Sequence, residues 1–437
     1  MVSETHNDSA IHTTAKDLLS YNDTTLSESD STDNSLEFPK YTRYAVVASC
    51  FVFQVLSCGL QISWGVQQEY LAANVYKGEP GKIKMLSYIG TLMYFGIYFW
   101  GMLAGWLAEV WSYRKLCFVG IVIMALGQLL ASFCKEPWQL CLTEGVIFGL
   151  GTGLVFSPTT TASARWFTQR RGLATGIAVS GVGIGGLIIA PLTEFLLRRT
   201  GVEWSLRISA IYIMVLGSIA CYFVRVPFQD KTRTLRNFDW RAFGDRRFAA
   251  NAGIVFFVAA AYITPYAFLP EFWVSKGMSS QTASVLIAVA NVSSSVSRLI
   301  IGFSADYIGV LNALVLNLLG ASLSCLVLWP FATGVGMGVV TSIFYGFSTG
   351  GYWALAPLVA AKLCGVDRLA SVSGVISTVA AVGVWMGSPV ADAMLGEPHH
   401  SSYFVAVSTY TGGLWLAAFF LALFSRTLYS KKVLSKV

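Results

Sequence analysis

The chain has 437 residues, of which 55% are hydrophobic, 14% aromatic and only 12% charged, with a formal net charge of +7. Soluble domains carry roughly 25% charged residues, so half that share leaves too little polar surface for several water-facing domains. Together with a mean hydropathy of +0.61, this excludes an ordinary soluble protein and implies a bilayer.

Residues 1–42 stand apart: they are acidic and rich in Ser, Thr, Asp and Asn, and they cannot bury enough apolar area to fold alone. They are expected to form a disordered cytoplasmic tail. They show no basic patch followed by an apolar run and cleavage site, so membrane insertion is expected to rely on internal segments. A spanning helix needs roughly 20 mostly apolar residues. Twelve such runs follow, at 44–66, 85–108, 116–134, 138–162, 172–196 and 206–224, then at 248–271, 283–305, 311–331, 335–361, 371–395 and 403–424. Continuous runs such as CFVGIVIMALGQLLASF differ from the alternating segments of about ten residues that build a membrane β-barrel. The expected fold class is therefore all-α and integral to the membrane, with twelve transmembrane helices in two pseudo-symmetric six-helix bundles.

The bundles are assigned to residues 43–225 and 248–425, joined by a basic cytoplasmic loop at 226–247 and followed by a basic cytoplasmic tail at 426–437. That loop carries Lys231, Arg233, Arg236, Arg241, Arg246 and Arg247, and breaks of the same parity hold Arg114, Lys115, Arg165, Arg170, Arg171, Lys362 and Arg368. The opposite breaks are poorer in Lys and Arg, so the positive-inside rule puts both termini in the cytoplasm.

The halves echo each other. Gly105 and Glu109 after the second run correspond to Gly302 and Asp306 after the eighth, each pair 197 residues apart, and Arg171 and Arg368 keep the same offset. Pro158 and Pro357 agree within two residues, at 199. Repeats at one spacing imply duplicated halves. An acidic residue at a helix end beside arginines can hold one face closed through a breakable charge cluster. Glu109, Arg114, Lys115, Arg170, Arg171 and Asp306 are the expected gate, with plain positive-inside topology as the alternative reading of the cations.

The pattern G-x-x-x-[DE]-x-x-[GS]-x-R-K after the second run, its weaker echo after the eighth, twelve spans and the basic central loop together resemble the major facilitator superfamily, from about Arg43 to Arg426. Within that frame WFTQRRGLATGIAVSGVGIGG, from Trp166, is similar to the fifth-helix signature of the monocarboxylate transporter family. Phe167, Arg170, Arg171, Leu173, Ala174, Gly176, Ala178, Gly181 and Gly185 fall on its positions, and SWGVQQEYL from Ser63 resembles fungal members. The resemblance implies two bundles rocking about a central cavity that carries a small organic anion. The chain departs from it at KYTRY, where an acidic, Gly-rich opening is expected, and at Ser294, which replaces an aspartate one turn before the matching Arg298.

Arg298 lies deep in an apolar helix, where a lone guanidinium costs about 2.5–3.5 kcal/mol on insertion scales. It reads as an anion clamp facing a cavity, or as a structural partner of Asp306 or of a backbone carbonyl. Asn291, Tyr262, Tyr352 and Gln61 are the accompanying substrate-binding candidates. Gln54, Tyr94, Tyr98, Tyr266, Tyr345, Trp353 and Trp385 form a wider aromatic and amide set. Glu144, the most isolated intramembrane carboxylate, is the proton-coupling candidate, unless it lies close enough to the outer surface to meet water. Glu194 beside Arg198 reads as a helix-end ion pair.

GTGLVF and GVGIGG lie inside spans with no preceding strand and no P-loop lysine, so they read as helix-packing glycines. The eight cysteines are scattered without metal-ligand spacing. Cys134 and Cys141, flanking one short loop, are the only pair placed to bridge. Four histidines are too few for a membrane metalloenzyme. The sequence thus points to a secondary active transporter and not an enzyme, with no cofactor, no metal and no nucleic-acid partner. Its expected partners are the lipid bilayer, a monocarboxylate-like anion and an optional co-transported proton. The alternative cargo is a larger metabolite, such as a secondary metabolite or a vitamin, and a signalling receptor built on the same frame is a third class. The expected state is a monomer in the plasma membrane, with vacuolar and other organelle membranes as alternatives.

Overall fold

The computed structural model describes residues 40–167, 169–225, 245–364, 369–395 and 403–429, and those residues contain helices and no strand. The predicted tail up to residue 39, most of the central loop, Arg368, the His399–His400 pair and residues 430–437 lie outside the described residues. Among the described residues, ten helices are long and apolar enough to cross a membrane. One of them, Arg171–Phe223, runs for 53 residues. That is more than double the roughly 20 a span requires. Gly201, at φ 79° and ψ 176°, breaks it, so it comprises α5 (171–200) and α6 (202–223). With the 30-residue helix Val335–Cys364, the described residues hold twelve helices of spanning length.

The others are α1 (Lys40–Tyr70), α2 (Pro80–Val110), α3 (Tyr113–Ala131), α4 (Pro137–Trp166), α7 (Arg246–Ser275), α8 (Ser280–Ile308), α9 (Val310–Phe331), α10 (Val335–Cys364), α11 (Leu369–Leu395) and α12 (Tyr403–Tyr429). Several overrun the apolar windows, because hydropathy marks the lipid-facing stretch while the hydrogen-bond ladder continues into polar ends. α4 starts where the sequence stops it fraying: Glu136 and Gln139 cap each other's backbone groups, and Pro137 occupies the first turn. Its segment Cys141–Phe148 is π-helical. Cys134 and Cys141 are free thiols.

Two apolar cores organise the molecule. One is built from side chains between Val46 and Val224, the other mainly from side chains between Ile254 and Ala422. Cys58, Ile97 and Tyr98 of the first half pack into the second core, so the halves share a seam. The seam consists chiefly of α2 against α11 and α5 against α8. Small residues make it tight: a Cβ on Gly101 would stand 3.0 Å from Ser377 Cβ, and one on Gly374 would stand 3.0 Å from the Met102 carbonyl oxygen. Alternating passage places the end of α2, the start of α5, the end of α8 and the start of α11 on one face. On the α5–α8 side that face is shut between Gly172 and Gly302, where each glycine lies against the other's carbonyl oxygen with no room for a Cβ.

Candidate transport cavity

Between the halves lies a cavity of about 60 Å³, lined by Tyr98 of α2, Phe156 and Thr160 of α4, Val255 of α7, Tyr352, Trp353, Ala356, Pro357 and Ala360 of α10, and Ser373, Ile376, Ser377 and Ala380 of α11. Among the described residues no lining residue is charged. The lining side chains offer hydroxyls and the Trp353 indole N–H on an otherwise aliphatic and aromatic surface.

The aromatic rings are ordered by their edges and faces. Tyr98 stacks on Trp353 from across the seam, with ring centroids 5.5 Å apart and planes 23° apart. Trp353 is held edge-on by Tyr262 at 5.5 Å and 83°, and by Tyr352 at 5.2 Å and 79°. Tyr266 continues the series to Tyr345, whose hydroxyl donates to the Tyr262 carbonyl at 2.8 Å. Phe156 meets Tyr98 edge-on at 6.2 Å. Edge-to-face and offset-stacked pairs are the arrangements that the ring quadrupole favours.

Of the substrate-binding candidates, Tyr352 lines the cavity and Tyr262 stands one ring behind it. Arg298, Asn291 and Gln61 are not lining residues. Gln61 is buried and donates to the Met93 carbonyl at 2.8 Å. The Asn291 carbonyl accepts the Ser295 hydroxyl at 3.0 Å. Trp385, grouped with cavity aromatics in the sequence, is 63% exposed and faces away from the core.

Arg298 is 2% exposed, and among the described residues no acidic side chain reaches it. One guanidinium N–H approaches the Val179 carbonyl at 3.4 Å, a long bond, and Nε has no partner in the described structure. The pairing with Asp306 that the sequence allowed does not form. Asp306 instead points at the start of α5, accepting the backbone N–H of Gly172 at 2.8 Å and of Leu173 at 3.1 Å. A helix N-terminus offers unpaired N–H groups and positive dipole, so a carboxylate suits it.

Among the described residues the expected gate set forms no ion pair. Arg171 turns back to the Phe167 carbonyl at 2.8 Å, Arg170 sits in the left-handed region at φ 46°, and Lys115 is exposed. Arg114 donates to the carbonyls of Cys221 (3.1 Å) and Tyr222, tying α3 to the end of α6. The side chain of Glu109 lies outside what the structure describes. Glu194 and Arg198 do pair, at 2.8 Å.

Glu144 is fully buried on the π-helical stretch of α4. Oε1 accepts Gln67 Nε2 of α1 at 2.8 Å, and Oε2 has no partner in the described structure.

Sequence reasoning missed Phe156, Thr160, Ser373 and Ser377. A signal was present: Phe156 and Thr160, like Ser373 and Ser377, are four residues apart on one helical face, and Phe156 and Thr160 flank Pro158 as Trp353 and Ala360 flank Pro357.

Residues 62–388 match the family described as the Major Facilitator Superfamily. The Fujikurins efflux protein of Gibberella fujikuroi is 27% identical over 398 residues, covering 90% of this chain and 84% of that protein. The Aspyridones efflux protein apdF of Emericella nidulans is 28% identical over 348 residues, 78% of this chain and 70% of that protein. The MFS-type transporter pynF of Aspergillus niger is 27% identical over 364 residues, 82% and 83% of the two chains. Among solved structures, the proton:xylose symporter XylE superposes with TM-score 0.70 at 13% identity, covering 89% of this chain and 96% of its own. The transporter FucP in its outward conformation gives 0.69 at 14%, covering 88% and 98%. At such identities the structures establish the fold. The relatives bear out the superfamily, while two of the three carry efflux of named metabolites in their titles where the narrower resemblance pointed to monocarboxylates.

Proposed function

The chain belongs to the Major Facilitator Superfamily, and on that premise we propose that it exports a largely uncharged secondary metabolite by alternating access. The observation that carries this reading is the lining of the cavity between the halves: rings and hydroxyls and, among the described residues, no charged side chain. A small carboxylate brought into such walls would lose its hydration without gaining a counter-charge, a cost of several kcal/mol. An amphipathic ring system would trade water for rings at a gain of roughly 25 cal/mol per Å² of apolar surface buried. The fujikurin and aspyridone efflux relatives support the same cargo class.

Residues 43–225 and 248–425 are the two rocking units in this reading, with their seam at α2–α11 and α5–α8. Glu144 is the candidate proton carrier, Asp306 the principal gate residue, and the basic breaks orient the shut face to the cytoplasm. The chain acts as a monomer, since one copy carries its own cavity, and resides in the plasma membrane.

Transport into vesicles containing the purified full chain tests the cargo. Fujikurins or aspyridones should accumulate at several times the rate of protein-free vesicles, while acetate, lactate and pyruvate should not exceed that background. Accumulation of the simple acids alone would overturn the reading. The second reading, a small organic anion, rests on Arg298, a buried cation without an acidic partner among the described residues.

A further inference from the structure

We propose that Tyr98 and Trp353 form an exchangeable stack: a planar conjugated ring of the cargo enters between them and replaces a ring-on-ring contact that ties α2 to α10. This rests on the proposed export of an uncharged metabolite and narrows its chemistry to flat, conjugated molecules bearing hydroxyl or N–H donors.

Three features carry it. The pair lies across the seam, one ring from each half, and both rings line the cavity. Trp353 is fixed in its plane by Tyr262 and Tyr352 standing nearly perpendicular to it, at 83° and 79°, so its face toward Tyr98 is kept flat and presented. Tyr98 has an edge-on neighbour in Phe156 from its own half, so it can move away with that half while Trp353 stays. A ring slipped between them makes two stacked contacts where one existed. Separation of the halves, which otherwise loses the Tyr98–Trp353 contact, then costs less with cargo present, and binding becomes coupled to opening.

The hydroxyls set the polarity of the cargo. Thr160 Oγ1 donates to the Ser157 carbonyl at 2.9 Å and Ser377 Oγ donates to the Ser373 carbonyl at 2.8 Å, so their hydrogens are used within their own helices. What each offers the cavity is an oxygen lone pair, which calls for a donor on the cargo.

The test is binding of 2,6-dihydroxyanthracene, which is flat and conjugated with two free hydroxyl donors, against its fully hydrogenated tricyclic diol, which keeps both hydroxyls and a similar outline but has no π face. The full chain is held in lipid nanodiscs, with empty nanodiscs as the blank. Wild type should bind the flat probe at least five times more tightly. Trp353→Leu and Tyr98→Leu should each weaken the flat probe by about five- to tenfold, the scale of one aromatic contact, and leave the saturated probe within about twofold. Trp353→Phe should retain most of the preference, and thermal unfolding of each variant checks its fold. Equal binding of both probes by wild type overturns the exchangeable stack and leaves the exporter reading standing, a comparison that needs no variant. Equal weakening of both probes by Trp353→Leu also overturns it. Binding of neither probe counts against both readings.

Discussion

Asp306, at the end of α8, closes the start of α5 by accepting the backbone N–H of Gly172 at 2.8 Å. The two residues come from opposite halves, so a helix cap is here also a bond across the seam. Loss of a capping side chain costs about 0.5–2 kcal/mol, which would move an opening equilibrium by roughly 2- to 30-fold. Asp306→Ala should therefore raise the exposure of the cavity from the shut face. Maleimide labelling of Ser373→Cys, a lining position, should accelerate by that factor in the Asp306→Ala background. An unchanged labelling rate would show that the cap does not hold the face.

Gly172 and Gly302 leave no space for a side chain between α5 and α8. Gly302→Leu should prop the same face open, stop net transport and leave the protein folded, because each half keeps its own core. The check pairs transport with Ser373→Cys labelling: transport lost with labelling accelerated is the expected outcome. Normal transport would mean the helices can part at this point without penalty.

Glu144 and Gln67 share one hydrogen bond at 2.8 Å inside the first half. Glu144→Gln preserves an acceptor oxygen for Gln67 and removes the ability to release a proton. It should fold, exchange cargo between equal solutions at near wild-type rate, and fail to accumulate cargo under an imposed pH gradient. Glu144→Leu leaves the Gln67 amide unpaired and should lower stability by about 1–3 kcal/mol. Gradient-driven accumulation by the glutamine variant would dismiss Glu144 as the carrier.

Arg298 separates the two cargo readings. Its guanidinium on α8 points to the Val179 carbonyl of α5, so it sits on the seam between the halves, yet it does not line the cavity. Arg298→Lys keeps the charge and loses the planar fork. For an uncharged cargo the transport rate should change by less than about twofold, whereas a clamped carboxylate should lose about tenfold or more. Both rates measured on the same vesicles decide the matter.

The span pattern, the helical class and the family were legible in the residue order, because lipid imposes a local rule: about 20 apolar residues in a row, each satisfying its backbone within the helix. The 197-residue echo likewise singled out Asp306 before any coordinate did. Its partner was not legible. Sequence alone sets Asp306 beside arginines, and only the docking of α8 on α5 brings its carboxylate to the N–H groups of Gly172 and Leu173. The cavity was hidden for the same reason. Tyr98 and Trp353 are 255 residues apart, and periodicity along one helix cannot say which faces of α2 and α10 meet across a seam. Local hydrogen bonding fixes a helix, but which rings and hydroxyls share a space is decided by helices packing against one another, through contacts that no local pattern encodes.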